Sequence, residues 1–126
     1  MAYGSSVAAF GLVALMHGCA NPVVGPSGLL SEHTAGEFTP EDRTTFCGWW
    51  VEALGGEGEE LICMLNPGDW RGTLVQQGGC EEAFAALPST CAWLVADLEH
   101  CTFATQADPC APFRAPECQP PASCVR

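Results

Sequence analysis

The sequence predicts an all-α fold: a small disulfide-stapled bundle of short helices with an irregular Pro/Cys-rich C-terminal tail. Three observations predict it. Apolar residues recur at helical spacing over residues 40–54 and 80–101. Nine cysteines fall within 126 residues. Five prolines crowd the last 22 residues, where no regular helix can run. The stretch around which the chain is organised is residues 80–101, CEEAFAALPSTCAWLVADLEHC, with three of the cysteines.

Residues 1–19 read as a signal peptide. Residues 7–16 form a ten-residue apolar run broken by one glycine. That is too short to span a bilayer and has the length of a signal-peptide core. Met16-His17-Gly18-Cys19 follows and resembles a bacterial lipobox, which makes Cys19 the expected lipidation site and mature amino terminus. The segment before the run holds neither Lys nor Arg. Ordinary secretory cleavage around Gly18, Cys19 and Ala20, or a start codon further upstream, are the alternatives. Residues 20–39 are rich in Pro, Gly, Ser and Thr, without a sustained period, and read as a flexible tether. His33 lies in it and is expected to be inert.

Residues 40–126 read as a cysteine-rich helical domain. Thr39 can cap a helix, Pro40 suits its first position, and Glu41 and Asp42 suit the positive end of its dipole. Phe46, Cys47, Trp50, Val51 and Leu54 form its apolar stripe, and Gly55-Gly56 stops it. Residues 59–65, EELICML, are expected as a short helix carrying Cys63. Asn66-Pro67-Gly68 marks a turn. Residues 69–77 fit no one pattern, and Gly78-Gly79 is expected to break the chain. Cys80, Phe84 and Leu87 share the face of the next helix, which Pro88 ends. Ser89 or Thr90 then caps a helix whose stripe is Cys91, Leu94, Val95, Leu98 and Cys101. Residues 47–54 and 91–98 match at Cys, Trp, Val and Leu, so a degenerate duplication stands beside coincidence as an explanation. Trp49 and Trp93 lie off both stripes. They are a second packing face or an exposed aromatic binding surface.

The chain has no lysine. Its four arginines, Arg43, Arg71, Arg114 and Arg126, face fifteen carboxylates, for a net charge of −11. Nucleic acid is excluded as a partner because no basic patch exists. Adsorption to anionic headgroups is disfavoured for the same reason. Setting Cys19 aside leaves Cys47, Cys63, Cys80, Cys91, Cys101, Cys110, Cys118 and Cys124, an even set that can close as four disulfides of unspecified pairing. The closest two, Cys118 and Cys124, have five residues between them, and no C-x2-C occurs. This fits an oxidising compartment rather than a metal site or a thiol oxidoreductase.

No motif of nucleophilic, phosphate-binding or zinc-protease chemistry appears. His100 and Cys101 are neighbours on a helix and diverge by about 100°, which rules against a Cys–His pair. The acidic run at Glu57, Glu59 and Glu60 lacks calcium-loop spacing. No catalytic residue, metal ligand or cofactor is therefore expected.

One resemblance can be drawn. The leading helix, then CEEAFAALPSTC, DLEHC, DPC and PEC, resembles a class of cysteine-rich predicted lipoproteins of myxobacteria and related predatory or soil bacteria. It covers residues 46–124 plus the leader. It implies an exported, helical, disulfide-bonded domain and assigns no functional residue. The function expected is a non-enzymatic cell-envelope domain with a structural or protein/glycan-binding role, lipid-anchored at the outer membrane or periplasmic face, or otherwise secreted. Its partners would be the membrane, through the anchor, and an envelope protein or glycan. The alternative is a carrier holding a small apolar ligand between disulfide-linked helices, similar in spirit to plant lipid-transfer proteins but without their adjacent Cys-Cys pair.

Overall fold

A computed structural model describes residues 22–126. Residues 1–19, read above as a signal peptide, and the expected lipidation site Cys19 lie outside the described residues. Helix α1 spans Pro40–Ala53 and has the expected ends. The Thr39 hydroxyl accepts from the Asp42 N–H and the Asp42 carboxylate accepts from the Thr39 N–H, a reciprocal capping box. Gly55 and Gly56 both take φ 106°, the left-handed region that stops a helix without a Cβ penalty. Phe46, Cys47 and Val51 are buried along α1, and Leu54 just beyond it.

The fold is mixed α/β, which corrects the all-α expectation. Residues 59–65 are not a helix. Strand β1 spans Glu60–Asn66 and pairs antiparallel with β2, Asp69–Leu74. Exposure alternates along β1, with Leu61, Cys63 and Leu65 turned inward and Ile62 and Met64 outward. That is the period-2 signature of a half-buried strand. A short apolar run fits either period, and the turn decides it. Pro67-Gly68, with Gly68 at φ 83°, reverses the chain and brings Met64 opposite Trp70. The Gly58 N–H and Val75 N–H extend the ladder by donating to Val75 O and Glu59 O.

Helix α2 spans Gln77–Ala85, and Gly78 and Gly79 sit in its first turn instead of breaking the chain. Glu57 accepts from the Gln77 N–H at 2.9 Å. This satisfies a helix-start donor that the glycines cannot cap. Helix α3 spans Val95–Ala107, starting well after the expected Ser89 or Thr90 cap. Residues 91–94 are extended, so Cys91 and Trp93 precede the helix, and the match with residues 47–54 is not a repeat of one helical unit. The cause is competition for backbone partners. The Ala35 N–H donates to Trp93 O, the Gly36 N–H to Cys91 O and the Val95 N–H to His33 O. A bridge also pairs Thr34 with Leu94.

Those same bonds correct the tether. From Pro22 onward residues 20–39 are folded onto the domain. Val24 and Leu30 pair across a tight turn. The Ser27 N–H donates to the buried carboxylate of Glu99 on α3 at 2.9 Å. Ala35 and Phe38 belong to the core. His33 bonds to Asp42 at 3.1 Å and stacks on Phe38.

The tail behaves as expected for its prolines. It forms only a short helix, α4 at Ala111–Arg114, and 3-10 turns at Pro116–Cys118 and Ala122–Cys124. All eight cysteines close: Cys47–Cys80, Cys63–Cys110, Cys91–Cys124 and Cys101–Cys118. The first ties α1 to α2 and the second ties the hairpin to the tail. The other two tie the tail to the extended segment and to α3. The main core gathers Ala35, Phe38, Phe46, Val95 and Leu98 around two of these bridges. A smaller core of Val51, Leu54 and Val75 joins α1 to the hairpin.

Candidate functional site

The two disulfide-linked helices beside α1 do not close on one another. Between α2 and α3 lies a cleft of about 450 Å³, within the roughly 300–1,000 Å³ range of small-molecule sites. Phe46 and Trp50 of α1 form its floor. Ala83 and Phe84 of α2, followed by Leu87, form one wall. Trp93, with Leu98 and Thr102 of α3, forms the other, and Leu74 at the end of β2 closes one side. Half-cystines Cys80 and Cys101 face it from opposite walls, so the Cys47–Cys80 and Cys101–Cys118 bridges set its frame.

Local sequence explains why the cleft stays open. Helix α2 contributes no buried residue. Of its residues that line the cleft, Gly79 and Ala83 give it too little side chain to fill the gap to α3. What holds it is the bridge from Cys80, edge contacts of Phe84 with Phe46 at 5.3 Å, and a polar cluster on its α1 side. There Glu81 accepts from Thr44 Oγ1 and from Gln77 Nε2, at 2.9 and 2.8 Å. The Gln77 and Thr44 hydrogen bonds, in that order, lower the Glu81 carboxyl below its ordinary range.

The lining is apolar and uncharged. No residue that lines the cleft is titratable, since Cys80 and Cys101 are both bridged, and the Thr102 hydroxyl donates back to Leu98 O at 2.9 Å. The site can therefore desolvate and hold an apolar body, and it presents no acid, base or nucleophile to one. Among the described residues no group of three His, Cys, Asp or Glu is placed to hold a metal ion.

The tryptophans singled out by sequence separate. Trp93 lines the cleft. Trp49 lies elsewhere, edge-on to Phe46 at 5.6 Å and to Phe103 at 5.7 Å, as a packing residue. Sequence reasoning placed Trp50, Phe84 and Leu87 on apolar stripes but gave them no role beyond packing. It missed a second surface altogether. The outward face of the hairpin exposes Ile62, Met64, Trp70 and Leu74, with Trp70 61 % accessible. The alternation of Ile62 and Met64 with Leu61, Cys63 and Leu65, followed by Asn66-Pro67-Gly68, was the signal for it.

His33 and Asp42 form the one close His–carboxylate pair recorded among the described residues. Partial burial alone would raise the Asp42 carboxyl. The Thr39 N–H, His33 and the Thr39 hydroxyl outweigh it and hold the group below its ordinary value. The pair fastens residues 31–38 to α1.

Four disulfides mark an oxidising, extracytoplasmic setting. No helix among the described residues is long and apolar enough to cross a membrane. Comparison with known proteins finds no matching family model, no similar curated protein and no similar solved structure.

Proposed function

We propose that this chain is an exported binding domain that holds a small apolar molecule in the cleft between α2 and α3, without catalysing a reaction on it. The cleft carries the reading: its volume suits a small ligand and its lining is apolar and untitratable. Nothing in that lining offers acid–base or nucleophilic chemistry, which favours binding over turnover. We place the domain at the cell envelope, anchored through Cys19 if the lipobox-like sequence is acylated. The fold of residues 22–39 onto the domain would then hold it close to the membrane rather than on a long tether.

The test is a titration of the oxidised protein with Nile red, a neutral fluorophore that brightens in apolar sites. Saturable binding that is lost in Ala83→Trp, which fills the cleft from an exposed helix position, supports the reading. Unchanged binding in that variant refutes it. A second reading, docking of an envelope protein, is favoured by the exposed hairpin face at Ile62, Met64, Trp70 and Leu74. Trp70→Ser would weaken that docking and leave the cleft's Nile red signal unchanged.

A further inference from the structure

We propose that the cleft selects hydrophobic cations, molecules with an apolar body and a quaternary or alkylated ammonium, over neutral and anionic molecules of the same apolar size. The inference rests on the cleft being the binding site and adds the charge of its ligand. Two independent observations carry it.

The first is aromatic content. Phe46, Trp50, Phe84 and Trp93 all line the cleft, from three different parts of the chain. An aromatic ring carries negative charge on its face, and indole attracts cations best. The attraction grows as the cation is desolvated, which these walls would do on the side that faces them. Alkylated ammonium groups suit such a site because they shed water readily and need no hydrogen-bond acceptor, and none of the lining side chains offers a carboxylate.

The second is the distribution of charge. The chain carries −11, and a low-dielectric cleft in a protein of one sign concentrates the field and the counter-charged ligand. An anion entering the cleft would find no cation to meet it. Arg71 is paired with Asp69 and Arg114 with Asp108, Arg43 donates to Phe38 O, and none of the arginines lines the cleft.

The experiment uses the oxidised full-length protein at low ionic strength, with Nile red displaced by three probes built on an eight-carbon chain: octyltrimethylammonium, 1-octanol and octanoate at pH 8. The cation should displace the dye at a concentration about tenfold lower than the alcohol, the ratio that a pair of indole contacts supports. Octanoate should be the weakest of the three. Trp50→Leu and Trp93→Leu should bring the cation-to-alcohol ratio towards one; leucine is smaller and weakens apolar contact with both probes, so the ratio and not either affinity alone is the readout. Salt should reduce the ratio only in part, because the field is screened and the ring contacts are not. Equal displacement by cation and alcohol, tighter octanoate binding, or a ratio unchanged in both tryptophan variants overturns the charge preference and leaves the apolar cleft standing. Failure of all three probes, with dye fluorescence identical in Ala83→Trp, overturns the cleft itself and the preference with it.

Discussion

Removing the Cys47–Cys80 bridge as Cys47→Ala with Cys80→Ala should detach α2 before it unfolds anything else. Helix α2 buries no residue of its own and begins with Gly78-Gly79, so its intrinsic stability is low. The bridge closes a loop with a sequence separation of 33, which corresponds in the chain-entropy treatment to about 3.7 kcal/mol. The three remaining bridges already confine the unfolded chain, so this is an upper figure, and a loss of about 2–4 kcal/mol is expected. For a domain of this size that lowers the melting temperature by roughly 10 °C or more. The assays are guanidinium denaturation and amide hydrogen exchange of the double variant with the other three bridges intact. Amides of residues 77–87 should lose protection first, while those of β1, β2 and α3 keep theirs, and Nile red binding should vanish with the wall. A loss below about 1 kcal/mol, or residues 77–87 protected as in the parent, would refute the claim that this bridge holds the cleft wall.

Other outcomes follow from single contacts. Gly36→Ala places a Cβ 2.5 Å from Ser89 O and 2.8 Å from the Cys91 backbone, so residues 34–36 must move off the extended segment. Thermal melting should register a loss of about 1–3 kcal/mol through the overpacking and the broken bonds. Glu99→Ala strands the buried Ser27 N–H and should cost about 1–3 kcal/mol, with limited proteolysis cutting first within residues 23–30. The folded Asp42 carboxyl lies below its unfolded value, so the unfolded state binds its proton more tightly. Its stabilisation is full above the unfolded value near 3.8 and is lost as pH falls through the lower folded value. Asp42→Asn should therefore melt lower than the parent at pH 6, and the gap should close progressively below pH 4.

Helix α1 was legible in the sequence because its signals are local and agree: Thr39, Pro40 and Asp42 at one end, Gly55 and Gly56 at the other. The closure of eight cysteines followed from their even number and wide spacing, but their pairing is a property of three-dimensional approach. Cys91 meets Cys124 only because residues 91–94 are extended, which no local pattern encodes. That segment illustrates the main failure. Cys91, Leu94, Val95 and Leu98 have helical spacing, yet the His33, Ala35 and Gly36 backbone supplies partners that hold residues 91–94 as a strand-like stretch. The partner lay in residues 20–39, whose turn-forming composition reads as a tether unless its docking onto Glu99 is known. The hairpin was misread for a simpler reason. The five apolar residues 61–65 satisfy both periods, and only the pairing with Asp69–Leu74 chooses between them.

The cleft was legible only in parts. Phe84 and Leu87 were visible as one face of a helix and Trp50 as part of another. That those faces stop short of α3 depends on the small side chains of α2 and on where Cys80 is tied. Trp93 and Trp49 both fall off their apolar stripes, yet Trp93 lines the cleft whereas Trp49 packs against Phe46 and Phe103.

The most direct test of the central claim, that the Cys47–Cys80 and Cys101–Cys118 bridges frame an apolar cleft between α2 and α3, is the disulfide map of the oxidised protein. Proteolysis under non-reducing conditions followed by mass spectrometry should return Cys47–Cys80, Cys63–Cys110, Cys91–Cys124 and Cys101–Cys118. A peptide linking Cys80 to Cys91 or Cys101, or free thiols at Cys47 and Cys80, would contradict it, because α2 would then be tied to the opposite wall or not tied at all.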